Sequence, residues 1–170
     1  YSPIFYNKNK FKVLSQKTFW LSPTPDKISV GWDASMERIC TYGLFENIKS
    51  KEKILVFNTH FDHIGNLARK ESASLILKKI DEINKENLPV ILTGDFNLED
   101  SNPTIKKIQK RLTDVQFNID RSNKHYGTFT GFKHSKIIEK RIDYIFVKNI
   151  KVNESKHIHL KTPINGWASD

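Results

Sequence analysis

The sequence is short of the residues that build covalent scaffolds and membrane spans. Its 170 residues include a single cysteine, Cys40. A disulfide scaffold is therefore impossible, and so is a zinc site made of several cysteines. No run of about 18 apolar residues occurs, so we expect no transmembrane helix. Residues 1–20 have no basic start followed by an apolar block, so we expect no signal peptide within this chain.

Apolar residues are nevertheless sufficient for one packed core. Hydrophobic residues make up 38% of the chain, and 11 residues are phenylalanine. They are spread along most of the sequence, which argues against disorder. The length suits one domain, so we predict a single domain over residues 1–170.

The charge balance is basic, since 28 Lys and Arg face 19 Asp and Glu for a net charge of +9. An excess of this size favours an anionic partner, such as nucleic acid, a lipid headgroup or a phosphorylated small molecule. The lysines are scattered and form no block, so a lysine-rich surface without a specific partner is an equally good explanation.

The apolar pattern predicts many short strands and two helices. Residues 1–6 and 11–14 indicate a hairpin, and residues 22–37 a long loop of the kind that often binds a ligand. Helices are predicted over 67–87 and from Asn102 onward. Further strands are predicted at 18–21, 38–45, 53–60, 89–93, 128–130 and 141–147. A doubly wound parallel fold needs more crossover helices, so we expect an α/β sandwich of mainly antiparallel or mixed sheets.

A first polar cluster directly follows the buried strand 53–60. It reads Asn58-Thr59-His60-Phe61-Asp62-His63, and a core strand ending in two histidines and an acid is unusual. Such groups are held rigidly at a sheet rim, where chemistry is often placed. The structural alternative is a helix start, with Asp62 or Asn66 as N-cap and solvated histidines.

The same stretch partly matches a zinc motif of metallo-β-lactamase-like hydrolases, Thr-His-x-His-x-Asp-His. The inner His-x pair is absent here, so the first zinc site cannot form in the usual way. Zinc also needs further His or Cys ligands at fixed spacing. The other histidines, at 125, 134, 157 and 159, do not follow strands, which makes a zinc hydrolase the least favoured interpretation.

A second cluster, Gly94-Asp95-Phe96-Asn97, follows the strand 89–93. In an extended chain Asp95 and Asn97 point to the same side. A carboxylate accepts a proton from water while a carboxamide donates to an anion, so the pair suits a water and a phosphate oxygen. An Asx-turn that merely closes the loop is the alternative.

A third cluster is Arg141-Ile142-Asp143-Tyr144-Ile145-Phe146. Asp143 interrupts an otherwise apolar strand, and a buried carboxylate needs a cation, a donor or a metal. The alternative to a functional role is a structural salt bridge between Asp143 and Arg141 or another base.

These motifs, with a terminal Ser169-Asp170, resemble the endonuclease/exonuclease/phosphatase superfamily in their order along the chain. That superfamily includes pancreatic deoxyribonuclease, abasic-site endonucleases, mRNA deadenylases, inositol polyphosphate 5-phosphatases and neutral sphingomyelinases. The segments 19–23 and 31–33, followed by Arg38, look like a bacterial branch whose members are mostly called family hydrolases.

The resemblance implies a four-layer α/β sandwich of two packed sheets and a Mg²⁺-dependent phosphoesterase, with Mn²⁺ as a possible substitute. Carried over by position, His60 would contact the phosphate and assist the leaving group, and Asp95 would orient or deprotonate the attacking water. Asn97 would hold a phosphate oxygen, and Asp143 would orient a histidine. Arg38 would contact the phosphate, and Asp170 would face the metal. Mg²⁺ prefers carboxylates and water, and it neutralises charge that builds on phosphate oxygens.

The sequence departs from the family pattern at both ends. The first strand with its metal-proximal Asn and the motif with the metal-binding Glu have no counterpart, and the final motif stops at Asp170 before its His. The chain therefore resembles the C-terminal two-thirds of such a domain, and we expect these 170 residues alone to be inactive or much impaired. A non-catalytic module that binds phosphate or nucleic acid is the main alternative. Substrate, compartment and oligomeric state stay open.

Overall fold

The computed structural model describes residues 1–116, 126–131, 138 and 140–157. Within them, six strands form one mixed sheet in the order β1-β2-β3-β4-β6-β5, together with two helices. The strands are β1 Phe11–Trp20, β2 Ile39–Asn47, β3 Lys53–His60, β4 Val90–Asp95, β5 Thr113–Asp114 and β6 Asp143–Lys148. The helices are α1 Asn66–Ile83 and α2 Pro103–Gln109.

The centre of the sheet contains its only parallel pair within the described residues. β1, β2 and β3 form an antiparallel meander, whereas β4 runs parallel to β3 and antiparallel to β6. A parallel pair needs a crossover connection, and α1 provides it between β3 and β4. Consequently β3 and β4 end at the same edge of the sheet.

The main core lies between the sheet and the two helices. Alternate strand residues such as Phe57, Leu92 and Phe146 point to the helix side and are buried. Ile76 and Ile80 of α1 and Ile105 of α2 meet them there. Side chains alternate along a strand, so His60 and its neighbours on adjacent strands face away from this core.

The start of α1 differs from the helix start considered above. Gly65, not Asp62 or Asn66, is the N-cap, and it provides no side-chain cap. Instead Asp33 of the preceding loop accepts hydrogen bonds from the backbone N–H groups of Leu67 (3.1 Å) and Ala68 (2.6 Å). Asp33 thus connects the loop 22–37 to the start of α1, although Asp33 and Leu67 are more than 30 positions apart in the sequence.

Several local predictions need correction. Residues 1–6 are not a strand, and 11–14 and 18–21 belong mostly to one long strand, β1. Residues 128–130 make only an isolated bridge, between Phe129 and Lys140. The mixed α/β character is confirmed, while the two-sheet, four-layer arrangement and the single-domain boundary remain predictions. No helix in the described part of the chain is both long and apolar enough to cross a membrane.

Candidate active site at the ends of the central strands

Three of the predicted site residues lie in one row across adjacent strands. His60 is the register partner of Asp95 in the parallel β3–β4 pair, and Asp95 is the partner of Asp143 in the antiparallel β4–β6 pair. Residues that pair across strands share one face of a sheet. The row therefore joins an imidazole and two carboxylates at the sheet edge where β3 and β4 end.

His60 stands against Asp95, with 3.4 Å between Nε2 and Oδ2. Both side chains reach solvent, His60 with 45% and Asp95 with 26% of its surface exposed. Partial burial lowers the pKa of His60, and the charge of Arg38 lowers it further, while Asp143 acts in the opposite direction. Burial and the nearby Arg38 thus favour the uncharged form of this imidazole.

The backbone around Asp95 holds its carboxylate in place. Asp95 Oδ1 accepts a hydrogen bond from the backbone N–H of Asn97 at 2.8 Å, which is the Asx-turn considered above. The Asn97 side chain donates from Nδ2 to the carbonyl of Phe61 at 3.0 Å and ties the end of β4 to the end of β3. Asn97 is thus placed beside the row, with an engaged amide group.

Gly94 allows the two central strands to approach at the site. Its φ is +152°, and a Cβ at this position would lie 2.1 Å from the carbonyl oxygen of Thr59. Only glycine adopts such a backbone conformation without strain. The glycine of the second motif therefore serves the packing of β3 against β4, directly below His60 and Asp95.

Asp143 is exposed, so the prediction of a buried carboxylate within its strand was wrong. A salt bridge between Asp143 and Arg141 is not formed, since Arg141 makes a bidentate salt bridge with Asp114, at 2.9 and 2.5 Å. A pair between Asp143 and another base stays a prediction. Thr128 connects to Asp143 instead, because its hydroxyl accepts the backbone N–H of Asp143 at 3.1 Å. The backbone of Asp143 is therefore fixed while its side chain faces the row.

Arg38 lies on the other side of His60, at the start of β2. Its Nε is 3.5 Å from Asp62 Oδ2, and its Nη2 is 3.1 Å from His63 Nδ1. The Arg38 carbonyl accepts a hydrogen bond from the backbone of Leu21 at 2.7 Å, which fixes the loop 22–37 at both ends. Arg38 thus lies against the end of the first cluster, and its contact with a phosphate stays a prediction.

A pocket of about 480 Å³ opens beside the row. His60, Asp95 and Asp143 line it together with residues that the sequence did not single out for function, among them Gln116, Thr128, Lys156 and His157. These residues lie on irregular segments, where the pattern of apolar residues gives no signal. Asp170 lies outside the described residues, so its placement near the row stays a prediction.

The donor set of the row suits a hard divalent cation. Asp95 and Asp143 are directly opposed on neighbouring strands, and like charges in that arrangement repel. Mg²⁺ is usually held by one or two carboxylates, with waters and substrate phosphates completing its shell. Within the described residues no cluster of three His, Cys, Asp or Glu is close enough to hold a metal, so a metal ion at the row stays a prediction.

Comparison with known proteins shows the family to which the chain belongs. A model of the endonuclease/exonuclease/phosphatase family matches residues 4–170, nearly the whole chain. The chain belongs to that family. The resemblance carried by the four motifs is thereby confirmed.

Two bacterial structures in the family are similar over most of this chain. One is an endonuclease/exonuclease/phosphatase family protein from Bacteroides thetaiotaomicron, 38% identical with a TM-score of 0.77. Another, from the same organism, is a mannosyl-6-phosphatase, 38% identical with a TM-score of 0.76. In both cases 85% of this chain is covered, but only 54% and 55% of the other protein. The chain thus spans about half the length of these relatives.

A more distant structure shows the same fold. It is D. rerio TDP2 complexed with a single-strand DNA product, which is 19% identical with a TM-score of 0.65 and is matched over 95% of this chain and 66% of its own. Family members as a group are phosphoester hydrolases.

Proposed function

We propose that this chain forms part of a metal-dependent phosphoesterase, which hydrolyses a phosphate ester with an activated water molecule. The observation that carries the proposal is the row of His60, Asp95 and Asp143 at the end of the parallel β3–β4 pair. An imidazole and a carboxylate 3.4 Å apart in a partly exposed site have both the reach and the access that proton transfer to a substrate requires.

The residues divide the work according to their chemistry. Asp95, held through Oδ1 by Asn97, orients the attacking water and accepts its proton. His60 contacts the phosphate and assists the leaving group. Arg38 adds a permanent positive charge on the far side of His60, where charge builds on the phosphate oxygens. Asn97 and Asp143 complete the site, the first toward a phosphate oxygen and the second toward a histidine.

The proposed metal is Mg²⁺, with Mn²⁺ as a substitute. When bound, the ion neutralises the charge of the phosphate oxygens and of the opposed carboxylates. Asp170 is the metal ligand that the family resemblance implies, and within the described residues Asp95 would face the ion from the row.

Phosphomonoesters of sugars are the substrates we would test first, because a relative at 38% identity is a mannosyl-6-phosphatase. The net charge of +9 supports a second candidate, a nucleic acid, since basic proteins bind polyanions. A non-catalytic module that binds phosphate without turnover is the third. Fold alone does not choose between them.

The test is phosphate-ester hydrolysis by the full-length product of the gene that encodes this chain. Mannose 6-phosphate, bis-p-nitrophenyl phosphate and a single-stranded oligonucleotide are each incubated with Mg²⁺ or EDTA. His60→Ala and Asp95→Asn are compared with Asp26→Asn, a matched change in an exposed carboxylate outside the row. Asp26 pairs with Lys17 of β1.

The proposal expects turnover that needs the metal and is lost in His60→Ala and Asp95→Asn but not in Asp26→Asn. Turnover that survives both site variants would refute the assignment of the row. A folded protein that binds the oligonucleotide or phosphate and turns over none of the three substrates would favour the binding module.

A further inference from the structure

Two residues that follow His60 in the sequence, Asp62 and His63, contact the guanidinium of Arg38 on two of its edges. Asp62 Oδ2 lies 3.5 Å from Nε, and His63 Nδ1 lies 3.1 Å from Nη2. Only 13% of the Arg38 side chain is exposed. Its Nε is buried and, within the described residues, is without an aligned hydrogen bond, so Asp62 acts on it mainly as an opposite charge.

Asp62 is an ionised group in a nearly dry place, with 1% of its side chain exposed. Its two oxygens accept hydrogen bonds from Ser35 N, Ser35 Oγ, Ile64 N and Gly65 N, at 2.7–3.0 Å. Burial raises the pKa of Asp62, but the hydrogen bonds from Gly65 and Ser35 outweigh burial and leave the pKa well below its ordinary value. Arg38 therefore faces a fixed negative charge.

The contact with Arg38 determines which nitrogen of His63 accepts a hydrogen bond. A guanidinium has only donors, so the His63 nitrogen that faces it must be the acceptor. The contact therefore assigns the neutral tautomer with the proton on Nε2. The ring is otherwise exposed, so a substitution at position 63 removes little packing.

Arg38 is close enough to the row to act on it electrostatically, because its charge adds to burial in lowering the pKa of His60. A guanidinium carries five N–H donors in a rigid plane, and the contacts with Asp62 and His63 involve two of them. The planar fork suits two oxygens of one phosphate group.

We propose that His63 is a positioning residue for Arg38: together with Asp62 it fixes the plane of the guanidinium before the substrate's phosphate arrives. The proposal rests on the proposed function, in which Arg38 contacts that phosphate. Asp62 supplies the charge that keeps Arg38 in the site, whereas His63 supplies the direction, because a hydrogen bond is more directional than a contact between charges.

The expected effect is on binding and not on the chemical step. An arginine that is already ordered spares the phosphate complex the ordering of one flexible side chain. Removing the His63 acceptor should therefore raise KM, and weaken binding of inorganic phosphate, by about 3- to 10-fold while kcat stays within about 2-fold.

Two variants at one position separate the acceptor from the bulk of the side chain. His63→Leu has no acceptor, whereas His63→Asn places its Oδ1 where the imidazole Nδ1 was. Both are measured in the full-length protein for KM and kcat on the substrate found above, and for the dissociation constant of inorganic phosphate by calorimetry. Thermal unfolding of each variant shows that the fold is intact.

We expect His63→Leu to weaken phosphate binding and raise KM, with His63→Asn within about 2-fold of the wild type. Equal behaviour of all three proteins, equal loss in both variants, or a fall in kcat at constant KM would overturn the proposal. Phosphate binding is measured without turnover, so it tests His63 even where no substrate is hydrolysed. Failure of the proposed function would instead be seen in the His60→Ala and Asp95→Asn assays.

Discussion

The buried ion pair between Asp114 and Arg141 allows a quantitative prediction about stability. Both side chains are almost completely buried, with 4% of Arg141 and 2% of Asp114 exposed. Gln109 and the backbone of Gln116 donate further hydrogen bonds to the same carboxylate, at 3.3 and 3.1 Å. The guanidinium also lies 4.3 Å from the centre of the Tyr144 ring.

Removing one partner of such a pair leaves an uncompensated charge in a dry environment. The expected cost is about 3–5 kcal/mol of unfolding free energy for Asp114→Asn or Arg141→Met alone. In a chain of this size each kcal/mol lowers the unfolding midpoint by about 2–4 °C, so each single variant should melt about 6–20 °C below the wild type.

The double variant is expected to recover part of this loss, because it leaves no unpaired charge. The four proteins form a double-mutant cycle, measured by thermal and urea unfolding, with a coupling energy of at least about 1.5 kcal/mol. Asp26→Asn, which breaks an exposed pair, is the control and should leave the midpoint unchanged within error. Single costs below about 1 kcal/mol, or strictly additive costs, would refute the reasoning.

Three further predictions concern Gly94 between β3 and β4, the buried carboxylate of Asp62, and Asn102 at the start of α2. Gly94→Ala should abolish turnover and lower the unfolding midpoint, since its Cβ would collide with Thr59; wild-type values of both would contradict the close approach of β3 and β4. The pKa of Asp62 is lowered by folding, so its contribution is present above its ordinary pKa of about 3.9 and is lost as the pH falls through the lower folded value. Asp62→Asn should therefore be less stable at pH 7 and less sensitive to acid below about pH 4, and parallel stability curves for the two proteins would argue against this. Asn102→Ala should cost about 1 kcal/mol of unfolding free energy, and Asn102→Ser should restore it, because the Asn102 side chain accepts the N–H of Thr104 at 2.9 Å.

The sequence pattern was sufficient for the elements that position the site. Continuous apolar runs predict β3 and β4, and the change to a helical period predicts α1 between them. Strand ends that carry polar motifs then bring His60 and Asp95 to one edge. The apolar pattern was misleading for Tyr1–Tyr6, because three aromatic residues in a short segment are typical of a strand. Among the described residues this segment has no strand partner.

Long-range partners were beyond sequence reasoning. Asp33 caps α1 from 34 and 35 positions away, and Asp114 pairs with Arg141 from 27 positions away. Asp33 takes the place of Asp62 or Asn66 at the start of the helix, and Asp114 takes the place of Asp143 as the partner of Arg141. Polar groups pair with the groups that the tertiary fold brings close to them. The pattern of apolar residues along the sequence does not predict which groups those are.

The row at the strand ends has a consequence for how this protein tolerates change in length. Side chains alternate between faces, so a slip of β4 by one residue would turn Asp95 into the helix core and present Phe96 in its place. A deletion of one residue within β3, β4 or β6 would therefore move that strand's member of the row to the opposite face of the sheet. Insertions beyond Asn97, or between β1 and β2, leave the register of those strands untouched. We expect natural variation in length to be confined to these loops, where new substrate contacts arise without cost to the row.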